Sequence, residues 1–274
     1  STGAIEYSKV CKVTNLNQTI NKLKENGYWI VASDGSAKMN YRDIDYKMKI
    51  GVIGAMQMEV DNLQANMTDT KVVEYSGITF VEGKIDGKSV VAAKCGIGKV
   101  FAAICAQTMI LEFNVDMIVN IGVAGSLTKD LSVFDVAVAT NVVQHDMDTS
   151  ALGDPVGLLS GINMVLLPAD EKMVEHMCKC LKNKGINYKK GTIATGDQFV
   201  ATKEKKDEIV DKFDAIAAEM EGGSIGHVCY VNNVPFTILR SISDSEGGAV
   251  DYATFAEKAA QQSIDVVIEF ISEL

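Results

Sequence analysis

The chain has 274 residues, and its 36 acidic against 26 basic side chains give a net charge of −10, which argues against a broad nucleic-acid-binding surface. Its 47% hydrophobic content can fill a sizeable core, yet no run of eighteen apolar residues occurs, so no transmembrane helix is expected. The opening "STGAIEYSKVCKV" lacks the apolar stretch of a signal peptide, and the six cysteines read as reduced thiols, so a soluble cytoplasmic protein is expected.

The first 47 residues stand apart. They carry seven basic and five acidic side chains, so the other 227 residues hold a charge of −12. In "TNLNQTINKLKENG" the residues Leu16, Ile20 and Leu23 recur at helical spacing between a Thr/Asn start and a Gly stop, which predicts one helix. "YWIVAS" predicts a strand and "DGSAKMNYRDIDYK" a linker. One helix and one strand cannot bury a core by themselves, so residues 1–47 are expected to be an N-terminal appendage to a domain spanning 48–274.

A new start follows with "MKIGVIGAMQMEV", an apolar strand running into a helix start. Strands are predicted near 49–54, 71–84, 88–95, 116–121, 134–143, 187–194, 215–219 and 234–242. Helices are predicted near 57–66, 99–113, 169–184, 203–212, 220–232 and 252–273. This alternation implies a three-layer α/β/α fold around a central mixed, largely parallel twisted sheet. Ligands of such sheets sit beyond the carboxyl ends of the strands.

Those ends collect an unusual set. Glu59 follows the first strand, and "NIGVAGSL" turns glycine-rich after the fourth. "TGDQFV" brings Phe199 and Val200, "AEMEGG" brings Glu219, Met220 and Glu221, and "LRSISD" brings Arg240, Ser243 and Asp244. Each has a plain structural reading: Glu59 as a first-turn helix acid, Glu219 and Glu221 as caps, Asp244 as an N-cap, Phe199 and Met220 as core. Their joint occurrence at strand ends is what points to a site. "GVAGS" lacks the dinucleotide fingerprint, "GIGKV" is too short for a nucleotide-triphosphate loop, and His145, His176 and His227 sit in no nucleophile motif. "CKC" at Cys178–Cys180, with His176 its only histidine neighbour in sequence, is not the usual metal-ligand spacing.

In order and spacing, "IGAMQMEV", "CGIGKVFAA", "NIGVAGSL", "TGDQF", "AEMEGGSIGHVC" and "VPFTILRSISD" closely resemble the 5′-methylthioadenosine/S-adenosylhomocysteine nucleosidases of the nucleoside phosphorylase superfamily, over residues 48–274. The resemblance implies hydrolysis of the N-glycosidic bond, releasing adenine and a thioribose. It assigns Asp244 as the acid that protonates adenine, Glu59 as the base that activates water, and Glu221 as the carboxylate that binds the ribose hydroxyls and steadies the developing cation. It places Met220 against the sugar, Phe199 on the adenine and the Val200 backbone on the base edge. Arg240 would help hold the water, and Glu219 would orient neighbours or bind a ribose hydroxyl. Met56, Val123, Ala124, Gly125, Ser243 and Tyr252 complete the implied contacts. The family usually has a serine where Val123 stands, near the catalytic aspartate. Ser243 or backbone amides are then left to hold Asp244, or its orientation is looser.

The resemblance also implies a homodimer in which "HDMDTSALGDPVG", with Leu152, closes the 5′-substituent pocket of the neighbouring subunit. Neither metal nor organic cofactor is called for, because side chains supply acid, base and sugar contacts. A purine nucleoside phosphorylase of the same fold is the nearest alternative. A phosphate dianion wants several charged donors, however, and the chain's two arginines are Arg42 and Arg240. A nucleoside-binding protein without turnover is a second alternative. "VCKVTNLNQTINKLKENGYWIVASDGSA" resembles a short piece of the knotted-fold rRNA 2′-O-methyltransferases, which raises a third reading as an RNA-methylation factor. No complete cofactor knot accompanies the segment, so an inert appendage, or one packing through Trp29 and Ile30, is expected.

Overall fold

The computed structural model describes residues 15–25, 48–244 and 249–274. The chain divides into two units, Ser1–Lys47 and Met48–Leu274. In the first, helix α1 (Leu16–Glu25) begins where the Asn15 side chain accepts the Gln18 N–H at 3.0 Å, an ordinary N-cap. The strand and linker expected over 28–47, with Trp29 and Ile30, lie outside the described residues.

The second unit is built on a mixed sheet of ten strands. Strands β1 (Lys49–Gly54), β4 (Lys88–Lys94), β5 (Met117–Ser126) and β10 (Phe236–Asp244) run parallel to their neighbours in the order β4-β1-β5-β10. Strand β6 (Val136–Gln144) pairs antiparallel to β10 and parallel to β8 (Tyr188–Thr195), which pairs parallel to β9 (Ala215–Glu219). Gly125 and Ser126 of β5 then pair with Ala218 and Ala217 of β9, so β5, β10, β6, β8 and β9 return on themselves. A short strand β7 (Leu167–Pro168), not expected from the sequence, lies beside β6.

Each face of the sheet is covered. On one, Ala102, Cys105, Ala106 and Met109 of α3 (Lys99–Glu112) and Ile225 and Cys229 of α6 (Gly222–Asn232) join a core with Phe80, Ile118 and Ile238. On the other, α2 (Asp61–Ala65), α4 (Glu171–Asn183) and α7 (Ala249–Ser272) bury Leu63, Met177, Leu181, Ile264 and Phe270 against Ile50, Val119 and Leu239. Helix α5 (Lys203–Phe213) packs Ile209 and Phe213 on Ala194 and Ala215.

Two expected elements are each split. The strand expected over 71–84 is a hairpin of β2 (Thr68–Tyr75) and β3 (Ile78–Ile85), turning at Ser76 and Gly77 with φ of 53° and 72°. Two successive positive-φ residues match the twist of the flanking strands, and the Ser-Gly pair was the signal for it. The helix expected over 57–66 is a 3-10 turn at Gln57–Glu59 followed by α2. The break comes where the Glu59 carboxylate folds back onto the Ala55 and Met56 N–H groups.

Candidate active site

A cavity of about 350 Å³ opens at the carboxyl ends of these strands. Met56, Glu59, Val123, Ala124, Gly125, Phe199, Val200, Glu219, Met220, Glu221, Ser243 and Asp244, singled out in the sequence across five segments, all line it. Ala55, Ile97, Gln198 and Ala218 line it as well and were not anticipated. Leu152 does not line it and is 84% exposed. The Tyr252 side chain lies outside the described part of the chain. Arg240 is buried behind the wall rather than in it.

Glu59 is fully buried at the end of β1. Its Oε2 accepts the N–H groups of Ala55 (2.6 Å) and Met56 (2.9 Å), and its Oε1 accepts that of Val123 (3.3 Å). Burial raises the pKa of this carboxyl; the nearby Arg240 charge and the three N–H donors work against that rise. A buried carboxylate so held is oriented and also ready to take a proton. Gly122 leaves the room it needs, since a Cβ there would stand 2.7 Å from Glu59 Oε1.

Arg240 lies alongside Gly122 in the β5–β10 ladder, and its guanidinium organises the acids. Its Nη2 reaches Glu219 Oε2, Asn120 Oδ1 (2.7 Å) and Glu221 Oε2 (3.4 Å), and its Nη1 the Ile121 carbonyl (3.3 Å). Burial disfavours its charge, but Glu219, Glu221 and Glu59 around it leave its pKa raised. Arg240 is thus a buried counter-ion under the carboxylates. Asn120 buttresses it, donating to the Ile53 carbonyl at 2.8 Å. That role was missed, though an asparagine inside the apolar run of "VNIG" was its signal.

The two acids of "EMEGG" separate in role. Glu219 is spent on structure: its Oε2 accepts the Glu221 and Gly222 N–H groups at 3.0 and 2.7 Å, and its Oε1 the Thr195 hydroxyl. It caps the first turn of α6 and ties that turn to Arg240. Glu221 faces the cavity, with Oε1 accepting the Gly98 N–H at 3.0 Å. Burial pushes its pKa up to about 7, with Arg240 opposing and the Glu219 charge adding to the rise.

Asp244 ends β10, and an irregularity in the β5–β10 register falls between Ile242 and Asp244. In a regular strand, adjacent residues face opposite sides; the irregularity lets both Ser243 and Asp244 line the cavity. The Ser243 hydroxyl donates to Asp244 Oδ1 at 3.3 Å, and Lys206 Nζ of α5 stands 3.8 Å from Oδ2. The concern over Val123 is relocated. Its N–H serves Glu59, and its side chain packs with Ala259 and Ala260 of α7. The residue of that turn abutting Asp244 is Gly125, where a Cβ would lie 2.9 Å from Oδ2.

The result is a mostly apolar slot with carboxylates at three separate strand ends. It suits a small, largely apolar ligand whose polar groups meet the buried carboxylates. Acid–base chemistry is available at Glu59 and Asp244.

A family model described as the phosphorylase superfamily matches residues 49–272. The chain is 36% identical over 231 residues to a 5′-methylthioadenosine/S-adenosylhomocysteine nucleosidase of Shewanella loihica, covering 83% of this chain and all of that protein. It is 38% identical over 229 residues to an aminodeoxyfutalosine nucleosidase of Helicobacter pylori, covering 82% and 99%. Among solved structures, a mutant Helicobacter pylori nucleosidase with 5′-methylthioadenosine in its active site superposes with a TM-score of 0.80 at 37% identity, covering 83% and 99%.

Proposed function

The chain belongs to the phosphorylase superfamily and, within it, to the 5′-methylthioadenosine/S-adenosylhomocysteine nucleosidases, and on that premise we propose how its own residues cleave the N-glycosidic bond of a 5′-substituted adenine nucleoside. The protein is a hydrolase of that bond. Asp244 places a proton on the departing adenine, which leaves poorly as an anion. Glu59 takes a proton from the attacking water. Glu221 binds the ribose hydroxyls and stabilises the positive charge that develops at the anomeric carbon. Phe199 stacks on the base, the Val200 backbone reads its edge, and Met220 lies against the sugar. Arg240, Glu219 and Asn120 position Glu221 rather than touch substrate. Neither metal nor organic cofactor enters these steps.

The observation that carries water over phosphate is the state of the α3 N-terminus. Helix N-terminal N–H groups are a ready anion site. Here the Gly98 N–H is committed to Glu221 and the Lys99 N–H to Asp197 Oδ1 at 2.8 Å. The Lys99 ammonium pairs with Asp146 at 2.7 Å. A phosphate dianion at this place would meet carboxylates. Adenine release from 5′-methylthioadenosine is therefore expected at the same rate with phosphate absent or present. Release that needs phosphate would make the enzyme a phosphorylase; tight nucleoside binding without release would make it a binding protein.

The raised pKa of Glu221 sets a pH dependence. Its carboxyl titrates near 7 in the folded enzyme against an ordinary value of 4.5. The protonated form is preferred by the fold, so this group's contribution to stability is complete below pH 4.5 and is lost as pH rises through about 7. Activity needs the ionised form and moves the other way. In kcat/KM, which reports the free enzyme, an acid limb with its midpoint near 7 is expected. A profile flat from well below to well above that midpoint would remove Glu221 from the mechanism.

We also propose a homodimer. Ile97 lines the cavity, and Ile97, Val100, Phe101 and Ile104 form an exposed apolar run where α3 begins. Such a run at a site rim suits a second subunit, whose Leu152 would meet the 5′-substituent. Among the described residues no helix is long and apolar enough to cross a membrane. Five described cysteines are buried free thiols, which fits a reducing cytoplasm. The first 47 residues are taken as an appendage without part in catalysis.

A further inference from the structure

Away from the cavity, the tertiary structure completes a constellation whose sequence neighbours looked inert. His176 and Cys180 sit four residues apart on α4, so their side chains share one helix face. Glu273 reaches the same place from the end of α7. One ring nitrogen of His176, Sγ of Cys180 and a carboxylate oxygen of Glu273 all lie within 4.8 Å of one another.

We propose that His176, Cys180 and Glu273 bind one borderline-soft divalent cation, zinc(II) or its surrogate cobalt(II), where α4 meets the end of α7.

The donor set selects the metal. One imidazole nitrogen, one thiolate and one carboxylate suit zinc, whereas magnesium and calcium demand oxygen alone. With metal–ligand bonds of about 2.0–2.3 Å, tetrahedral geometry puts donor atoms roughly 3.3–3.6 Å apart. His176 Nε2 and Glu273 Oε2 already stand 3.2 Å apart. The sulfur, within 4.8 Å of both, has at most about 1.5 Å to close on that bond-length basis. Three protein donors leave the fourth position to water.

The donors sit on a firm frame. The His176 ring packs on Phe270 with centroids 4.7 Å apart, which restrains its plane. Glu273 keeps the helical geometry of α7, its N–H donating to the Glu269 carbonyl at 3.1 Å. Entry runs between His176 and Glu273, whose side chains are 20% and 31% exposed. Two changes accompany binding. Lys179, largely exposed, gives up its 2.8 Å bond to Glu273 and turns to solvent. The buried Cys180 thiol, its pKa raised to about 11 by burial, releases its proton as the metal–sulfur bond forms. Dication, thiolate and carboxylate then leave no net charge.

The proposal is tested by titrating cobalt(II) into the full-length protein under a thiol-free reductant. One equivalent should give a sulfur-to-cobalt charge-transfer band and the strong visible bands of a tetrahedral ion. Cys178→Ser should keep the bands and Cys180→Ser should lose them. His176→Gln and Glu273→Gln, both at surface positions, should weaken binding by more than the ~10-fold typical of losing an outer-shell partner. Zinc should raise the Tm of the wild type and leave that of Glu273→Gln in place. Absence of the bands, or bands that survive Cys180→Ser, would overturn the site. Should Cys180→Ser not fold, unchanged cobalt affinity in both surface variants overturns it equally.

Discussion

Replacing Asp244 by asparagine is expected to lower kcat by about 10² or more, with a much smaller change in substrate affinity. Asparagine has nearly the same shape. It fits beside Gly125, where no Cβ can be accommodated against the present carboxyl, and it can still accept from the Ser243 hydroxyl. What it cannot do is hand a proton to a departing base. The adenine must then leave as an anion, and the barrier rises by the cost of that charge in an apolar slot. Steady-state kinetics with a direct measurement of nucleoside affinity separates the two effects. Near-full kcat would show that another group protonates the base, and the Lys206 ammonium beside Asp244 would be examined next.

Glu59→Gln is expected to cost a similar factor of about 10² while leaving adenine binding in place. A glutamine amide cannot take a proton from water near neutral pH. It also cannot repeat the local bonding. The carboxylate accepts two N–H groups on Oε2 and one on Oε1. Either flip of an amide sets its NH2 against a backbone N–H. A stability loss of about 1–3 kcal/mol is therefore expected beside the kinetic loss, as for a buried donor left unpaired. Denaturant unfolding measures the first and turnover of the folded fraction the second. A variant that is less stable but fully active would assign Glu59 to holding the β1 turn, with water activated elsewhere.

Much of this was legible in one dimension because it rests on local chemistry. The alternation of apolar runs predicted the layers, and most helices lie within two or three residues of their expected bounds. Ser76 and Gly77 carried a turn signal that a strand reading overran. The 3-10 break after β1 was illegible because it depends on where a carboxylate three residues on chooses to bond.

That carboxylates, an aromatic and a methionine stand just past strand ends was readable from the apolar runs, because the end of each run places the residues beyond it without knowledge of their neighbours. What each one bonds to depends on the folded packing. Glu219 and Glu221 are two residues apart, chemically identical and both in the cavity wall, yet four donors hold Glu219 while Glu221 takes one backbone N–H and a longer contact from Arg240. The Arg240 guanidinium lies on the underside of the acids, and the Val123 N–H serves Glu59. The same holds for Glu273, nearly a hundred residues from the histidine and cysteine it joins. A carboxylate's role is set by which donors reach it and how much water is excluded, and both are properties of packing between segments distant in the chain.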